Sequence, residues 1–311
     1  MIPSANGRRN PILVTGAPRS GTTWVGKMLA LAPGVAYIHE PFNPATQPGI
    51  SGAAFERFFT YVTEANEGRY AGSLERTLAF RYDWRAQSRR TRNARDAAHA
   101  LGVAAAFARA RAGRARALVK DPIAIFSTEW LARRYGMDVV LTVRNPLAFA
   151  ASIKRLRWGH RFELWLADDA LSRDHLDGFE PEVRELAERP QDLVTQAILL
   201  WRIFYRTVAR FRSEHPEWIV VRHEDLSREP LAGFEALFGK LGLELDAATR
   251  RAIEGHSAGG NPTEATSRHD VRLNSAANLE SWRSRLTEEE VERIREGTRD
   301  VVRLFYRDDE W

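Results

Sequence analysis

The chain has 311 residues, 44% apolar side chains and a formal net charge of +5, which is enough apolar material for one large α/β core. It contains no cysteine, so a disulfide framework, a thiolate zinc site and a cysteine nucleophile are excluded. No run of about 18 apolar residues occurs and Met1 to Asn10 lacks the apolar core of a signal peptide, so no transmembrane segment is expected and the default reading is a cytoplasmic protein.

The basic side is almost wholly arginine, with lysine only at Lys27, Lys120, Lys154 and Lys240. That balance is not read as nucleic-acid binding; a polyanionic donor or an acidic acceptor would also be drawn to it. Ile12-Leu13-Val14-Thr15 is a short β-branched run of the buried-strand kind, ended by Gly16. A loop with Gly16, Pro18 and Gly21 then hands over to a helix from Thr22 to Leu29. Strand, glycine loop, helix turns backbone N–H groups toward an anion, because the first helical turn leaves its donors unpaired at the positive dipole end. Arg19, Ser20, Thr22 and Thr23 add one charge and three hydroxyls there, so the stretch reads as a phosphate or sulfate cradle. Gly16 and Gly21 have the spacing of the P-loop nucleotidase pattern G-x-x-x-x-G-K-[ST]. Thr22 stands where its lysine would be, which argues against a nucleoside triphosphatase.

Val35 to Ile38 forms a second strand, delivering His39 and Glu40 to its carboxyl end, where ligands sit in parallel α/β sheets. Both are candidates for proton transfer. From Gly49 to about Arg116 the chain is helical or irregular and rich in arginine and aromatics; these aromatics read first as core, and the insertion as a natural place for acceptor recognition. The stretch Ala104 to Ala112, with Arg109 and Arg111, reads as a solvated helix face.

Leu118-Val119 is a third strand, closed by Lys120-Asp121-Pro122. Asp138 to Val143 is a fourth, delivering Arg144, and Asn145-Pro146 then starts a helix that carries Ser152. Residues 155–190 show no firm period and read as an excursion or lid. Leu193 to Phe211 carries a helical apolar stripe, and Trp218 to Val221 is a fifth strand ending at Arg222-His223-Glu224-Asp225-Leu226. Thr287 and Glu290 form a capping box. Strands alternating with helices predict a single α/β domain over 1–311, three-layered and P-loop-like, around a central, mainly five-stranded parallel sheet.

The loop P-R-S-G-T-T-W, residues 18–24, resembles the 5'-phosphosulfate loop of sulfotransferases that use 3'-phosphoadenosine 5'-phosphosulfate (PAPS). R-N-P-L-A-F-A-A-S, from Arg144 to Ser152, resembles that family's 3'-phosphate site, where an always-charged fork and a hydroxyl suit a dianion. Lys120 falls where cytosolic members carry a lysine, although K-D-P-I replaces K-T-H-L-P. W-I-V-V-R-H-E-D-L is similar to the strand ending in Y-E-D-L, with His223 for the tyrosine near the adenine. Trp24 matches the tryptophan that stacks on that base. The stretch Leu273 to Thr287 resembles the terminal R-K-G-x-x-G-D-W-K segment, with Ser275-Ala276-Ala277 in place of R-K-G and Arg268 or Arg272 as substitutes for its arginine. P-R-S-G-T-T-W with H-E-P-F behind it is more similar to the bacterial and glycan-directed branches.

The resemblance implies transfer of a sulfuryl group from PAPS to an acceptor hydroxyl of a carbohydrate, glycolipid or natural product, with adenosine 3',5'-bisphosphate leaving and no metal required. Arg19 and Lys120 would supply charge. Ser20, Gly21, Thr22, Thr23, Trp24, Arg144, Ser152, His223 and Ser275 would hold the nucleotide. Glu40 is the first candidate base and His39 the second; the plain alternative is that either pairs with a neighbouring arginine. A small-molecule kinase and a non-catalytic nucleotide-binding protein are the rival classes.

Overall fold

The structure is a computed structural model that describes residues 10–53, 55–189, 191–262 and 275–311. Five strands form one sheet in the order β2-β3-β1-β4-β5. They are β1 (Ile12–Gly16), β2 (Val35–His39), β3 (Arg116–Lys120), β4 (Asp138–Val143) and β5 (Ile219–Arg222). The sheet is parallel and flanked by helices. The helices that bear on the site are α1 (Thr22–Leu29), α2 (Trp84–Ser88), α3 (Ala94–Ala112), α4 (Pro146–Leu156), α5 (Leu193–Glu214), α6 (His223–Arg228), α7 (Pro230–Lys240), α8 (Ser275–Asn278) and α9 (Glu288–Val302).

Contacts group the chain into two compact units, one of β1 through Thr15 with Val25–Val140, the other of Gly16–Trp24 with Leu141–Trp311. In the first, β3 lies between β1 and β2, with Ile12 opposite Leu118 and His39 opposite Lys120. That register makes the chain leave β2 and β3 at the same level, which sets Glu40 beside Lys120. β3 begins at Arg116, two residues earlier than its apolar pair predicts. A charged residue fits there because Arg116 donates to the carbonyl of Asn10 at 2.6 Å and pairs with Asp138. Between β2 and β3 the aromatics are mostly core: Phe42, Phe55 and Tyr70 stack, and Phe80 and Tyr82 meet Phe107 of α3 edge-on. Phe58 and Trp84 stay exposed.

In the second unit, α4 starts where Asn145 accepts from the amide of Leu147 at 2.8 Å with Pro146 in its first turn. The buried stripe of α5 runs from Val194 to Phe211 behind an Asp192 cap. α9 carries the capping box of Thr287 and Glu290. The stretch that is aperiodic in sequence contains three short helices among its described residues 157–189, with Phe162, Trp165, Leu176 and Val183 buried. The fifth strand is shifted by one residue, and His223-Glu224-Asp225 opens α6 instead of ending β5. Two acidic residues in a first helical turn favour that outcome.

Candidate active site

The candidates fall into two clusters, each inside one unit. The first is built on the loop after β1. Gly16 and Gly21 both have positive φ, +143° and +91°. A methyl at Gly16 would lie 2.5 Å from the Thr142 carbonyl, and one at Gly21 would lie 2.6 Å from Nδ1 of His223. The loop therefore runs close over β4 and α6, as only glycine allows. Ser20 is buried and its hydroxyl braces the turn, donating to the Ala17 carbonyl at 2.5 Å with Oγ1 of Thr142 at 2.5 Å. Thr22 is buried and Thr23 half-buried at the start of α1, whose first N–H groups have no partner within the helix.

Arg19 sits at φ +71° and sends its guanidinium to Ser152, Nε donating to Oγ at 3.0 Å. Arg144 donates from Nη1 to the carbonyl of Arg19 at 2.7 Å and from Nη2 to Asn278 at 3.2 Å. The structure thus brings Arg19, Arg144 and Ser152 together. Arg19, expected both to hold the nucleotide and to supply charge, has its guanidinium on Ser152.

Arg144 is fixed from behind. Its amide donates to the Tyr205 hydroxyl at 2.9 Å, its carbonyl accepts from Trp201, and the next amide, of Asn145, donates to buried Glu224. Its Nε is buried without a partner among the described residues, as is Nδ1 of His223. Burial, with the Arg144 charge adding to it, holds His223 well below the usual histidine pKa, so its ring is neutral. Trp24 is 9% exposed and meets His223 and Phe234 edge-on. Arg268 and Arg272 lie outside the described residues, as does the side chain of Ser275; the backbone of Ser275 opens α8.

The second cluster lies where β2 and β3 end. Lys120 is 1% exposed, and its Nζ donates to Oε1 of Glu40 at 2.5 Å. Oε2 of Glu40 accepts from the Asn43 amide at 2.7 Å, and His39 Nε2 is 3.9 Å away. The partner of Glu40 is thus a lysine and not the arginine of the plain alternative. Burial pushes the Glu40 carboxyl up, but Lys120, His39 and Asn43 together hold it below the usual value. His39 also meets the Tyr37 hydroxyl at 3.2 Å. Asp121, fully buried, accepts from the amides of Phe42 at 2.7 Å and Ile123 at 3.0 Å, tying the turn after β2 to the turn after β3.

Sequence reasoning passed over Asn43, Asp121, Thr142, Glu224 and Asn278. Asn43 and Asp121 had a signal, since each adjoins a named candidate in H-E-P-F-N and K-D-P. Thr142, Glu224 and Asn278 act through tertiary contacts that no local pattern carries.

A family model described as "Sulfotransferase family" matches residues 11–247. Carbohydrate sulfotransferase 1 of Homo sapiens is 29% identical over 177 residues, covering 55% of this chain and 36% of that protein. The Rattus norvegicus protein of the same name is 29% identical over 178 residues, with the same coverage. The matched stretch thus spans only about a third of these relatives' length. A sulfotransferase domain from the curacin biosynthetic pathway has a similar fold, with a TM-score of 0.50 at 14% identity, covering 93% of this chain and 96% of that one.

Proposed function

The chain belongs to the sulfotransferase family, and from that premise we propose that it transfers the sulfuryl group of PAPS to a hydroxyl of a carbohydrate-type acceptor. The observation that carries this reading is the convergence of Arg19, Arg144 and Ser152, with the buried Nε of Arg144 left without a partner. An unsatisfied buried cationic donor is costly unless an anion meets it. A terminal 3'-phosphate has the charge and the several acceptor oxygens that such a group needs.

In this reading Arg19, Arg144 and Ser152 hold the 3'-phosphate, while the amides opening α1, with Thr22 and Thr23, hold the 5' end. Trp24 and His223 line the base. PAPS supplies an activated sulfuryl group, and the chain's residues position it and balance charge. Glu40 takes the proton of the acceptor hydroxyl as its oxygen bonds to sulfur. The bond from sulfur to the 5'-phosphate oxygen breaks, and Lys120 stabilises the charge on the departing bisphosphate. Asn43 keeps the Glu40 carboxylate oriented. The relatives named for carbohydrate sulfation favour a saccharide acceptor. The kinase reading is disfavoured by Thr22 in the lysine position.

The test is transfer of label from radiolabelled PAPS across a panel of glycans, glycolipids and phenols, with Glu40→Gln alongside. We expect label in a saccharide product and a loss of turnover of about 10²- to 10⁴-fold in Glu40→Gln, while bisphosphate binding is retained. Absence of transfer to every acceptor would overturn the activity. Near-normal turnover in Glu40→Gln would remove that residue from the base role.

A further inference from the structure

Arginine is treated differently in one stretch of this chain. Elsewhere it is commonly paired, as in Arg202 with Glu182, Arg222 with Glu310 and Arg293 with Asp192. Between Trp84 and Arg114 there are eight arginines and one acidic residue, Asp96, a formal +7 in a chain whose total is +5. The rest of the protein is therefore net acidic, and the basic excess is local. All eight are exposed, and none forms an ion pair among the described residues.

They are grouped at the two ends of α3. Arg85, Arg89, Arg90, Arg92 and Arg95 lie at or before its start, and Arg109, Arg111 and Arg114 at its end. At 19 residues the helix is about 28 Å long, too far for one small ligand to bridge. The face between the clusters is apolar and bare. Leu101 is 60% exposed, with Ala98, Ala105 and Ala108 at helical spacing on the same exposed side. Trp84, 51% exposed, stands beside Tyr82, which packs on Phe107 of α3.

We infer that α2 and α3 form a docking surface for an anionic lipid bilayer. Arginines flanking a bare apolar strip, with an exposed tryptophan beside it, are what an interfacial helix presents to acidic headgroups and the acyl boundary. Charge complementarity with the unpaired arginines selects an acidic surface, and the exposed leucine and tryptophan match its apolar layer. No helix among the described residues is long and apolar enough to cross a membrane, so the contact lies along the surface. The contact would hold the protein at a membrane, within reach of lipid-borne hydroxyl acceptors. It requires neither donor nor turnover, and so stands or falls apart from the transfer reaction.

Flotation of the full chain with vesicles tests it. Phosphatidylcholine vesicles containing about a third phosphatidylglycerol are compared with phosphatidylcholine alone, with dextran sulfate as a soluble polyanion. The expected result is binding to the anionic vesicles only, weakened by salt, with a blue shift of tryptophan emission that Trp84→Ala reduces. Joint replacement of Arg85, Arg89 and Arg90 by Gln should lower partitioning by about 30-fold or more, and by Lys should restore it. Leu101→Asp should weaken binding with its circular dichroism unchanged. Three outcomes would overturn the inference: no vesicle binding, tight binding of dextran sulfate without vesicle binding, or self-association abolished by Leu101→Asp with no lipid dependence.

Discussion

Glu40 holds a left-handed backbone conformation, φ +44°, which costs a non-glycine residue on the order of 1–3 kcal/mol and persists only when its surroundings fix it. Its amide donates to the Lys120 carbonyl at 2.8 Å, its own carbonyl accepts from the Asn43 amide at 3.0 Å, and its carboxylate is shared between Lys120 and Asn43. A carboxylate held below its usual pKa is ionised at neutral pH, as a base must be before it takes a proton. Asn43 contributes by donating to the charged form, so in Asn43→Ala the carboxyl pKa rises. The acid limb of the rate profile for sulfuryl transfer should therefore move to higher pH, with the plateau reached later. If Asn43 only shaped the turn, the variant would lose rate equally at every pH and the limb would stay where it is.

Between elements, Asp121 joins the exits of β2 and β3. Burial raises its pKa from 3.8 to about 7, with the nearby Glu40 charge adding to the rise. A carboxyl whose folded pKa is raised contributes stability that is fully present below its unfolded value and is lost as pH rises through about 7. The Tm of the wild-type chain should thus carry a decline across that range that is absent from Asp121→Asn. At acid pH the variant should be less stable by about 1–3 kcal/mol, because one of the two backbone amides loses its acceptor. Parallel Tm profiles for the two proteins would show that Asp121 does not titrate in this way. This junction also marks how far sequence reading reached. Each strand end was legible from apolar runs closed by polar residues, so Glu40 and Lys120 were both found as candidates. Their pairing was not, because it follows from the alignment of His39 with Lys120 across 81 positions of chain. The turn of His223 into a helix was likewise hidden: a strand end and a helix start share the same residues until packing decides.

At the scale of the whole molecule, the family match covers residues 11–247, while the contacts made by Asn278 on Arg144 come from beyond it. The glycine loop was readable because its chemistry is local. The seat of Arg144 was not, since Tyr205, Trp201 and Glu224 reach it from α5 and α6. The sequence shows the basic excess and its concentration between Trp84 and Arg114, but only the structure shows that these arginines are exposed and unpaired at the two ends of α3. The function rests on one requirement, that the arginine and serine group recognises a phosphate at the 3' position of an adenosine nucleotide. Calorimetry with adenosine 3',5'-bisphosphate and with adenosine 5'-phosphate tests that requirement most directly. Two charge-assisted contacts predict that the bisphosphate binds on the order of 100-fold tighter, and that Ser152→Ala combined with Arg19→Ala removes most of the difference. Equal affinities, or tighter binding of magnesium ATP than of the bisphosphate, would contradict it.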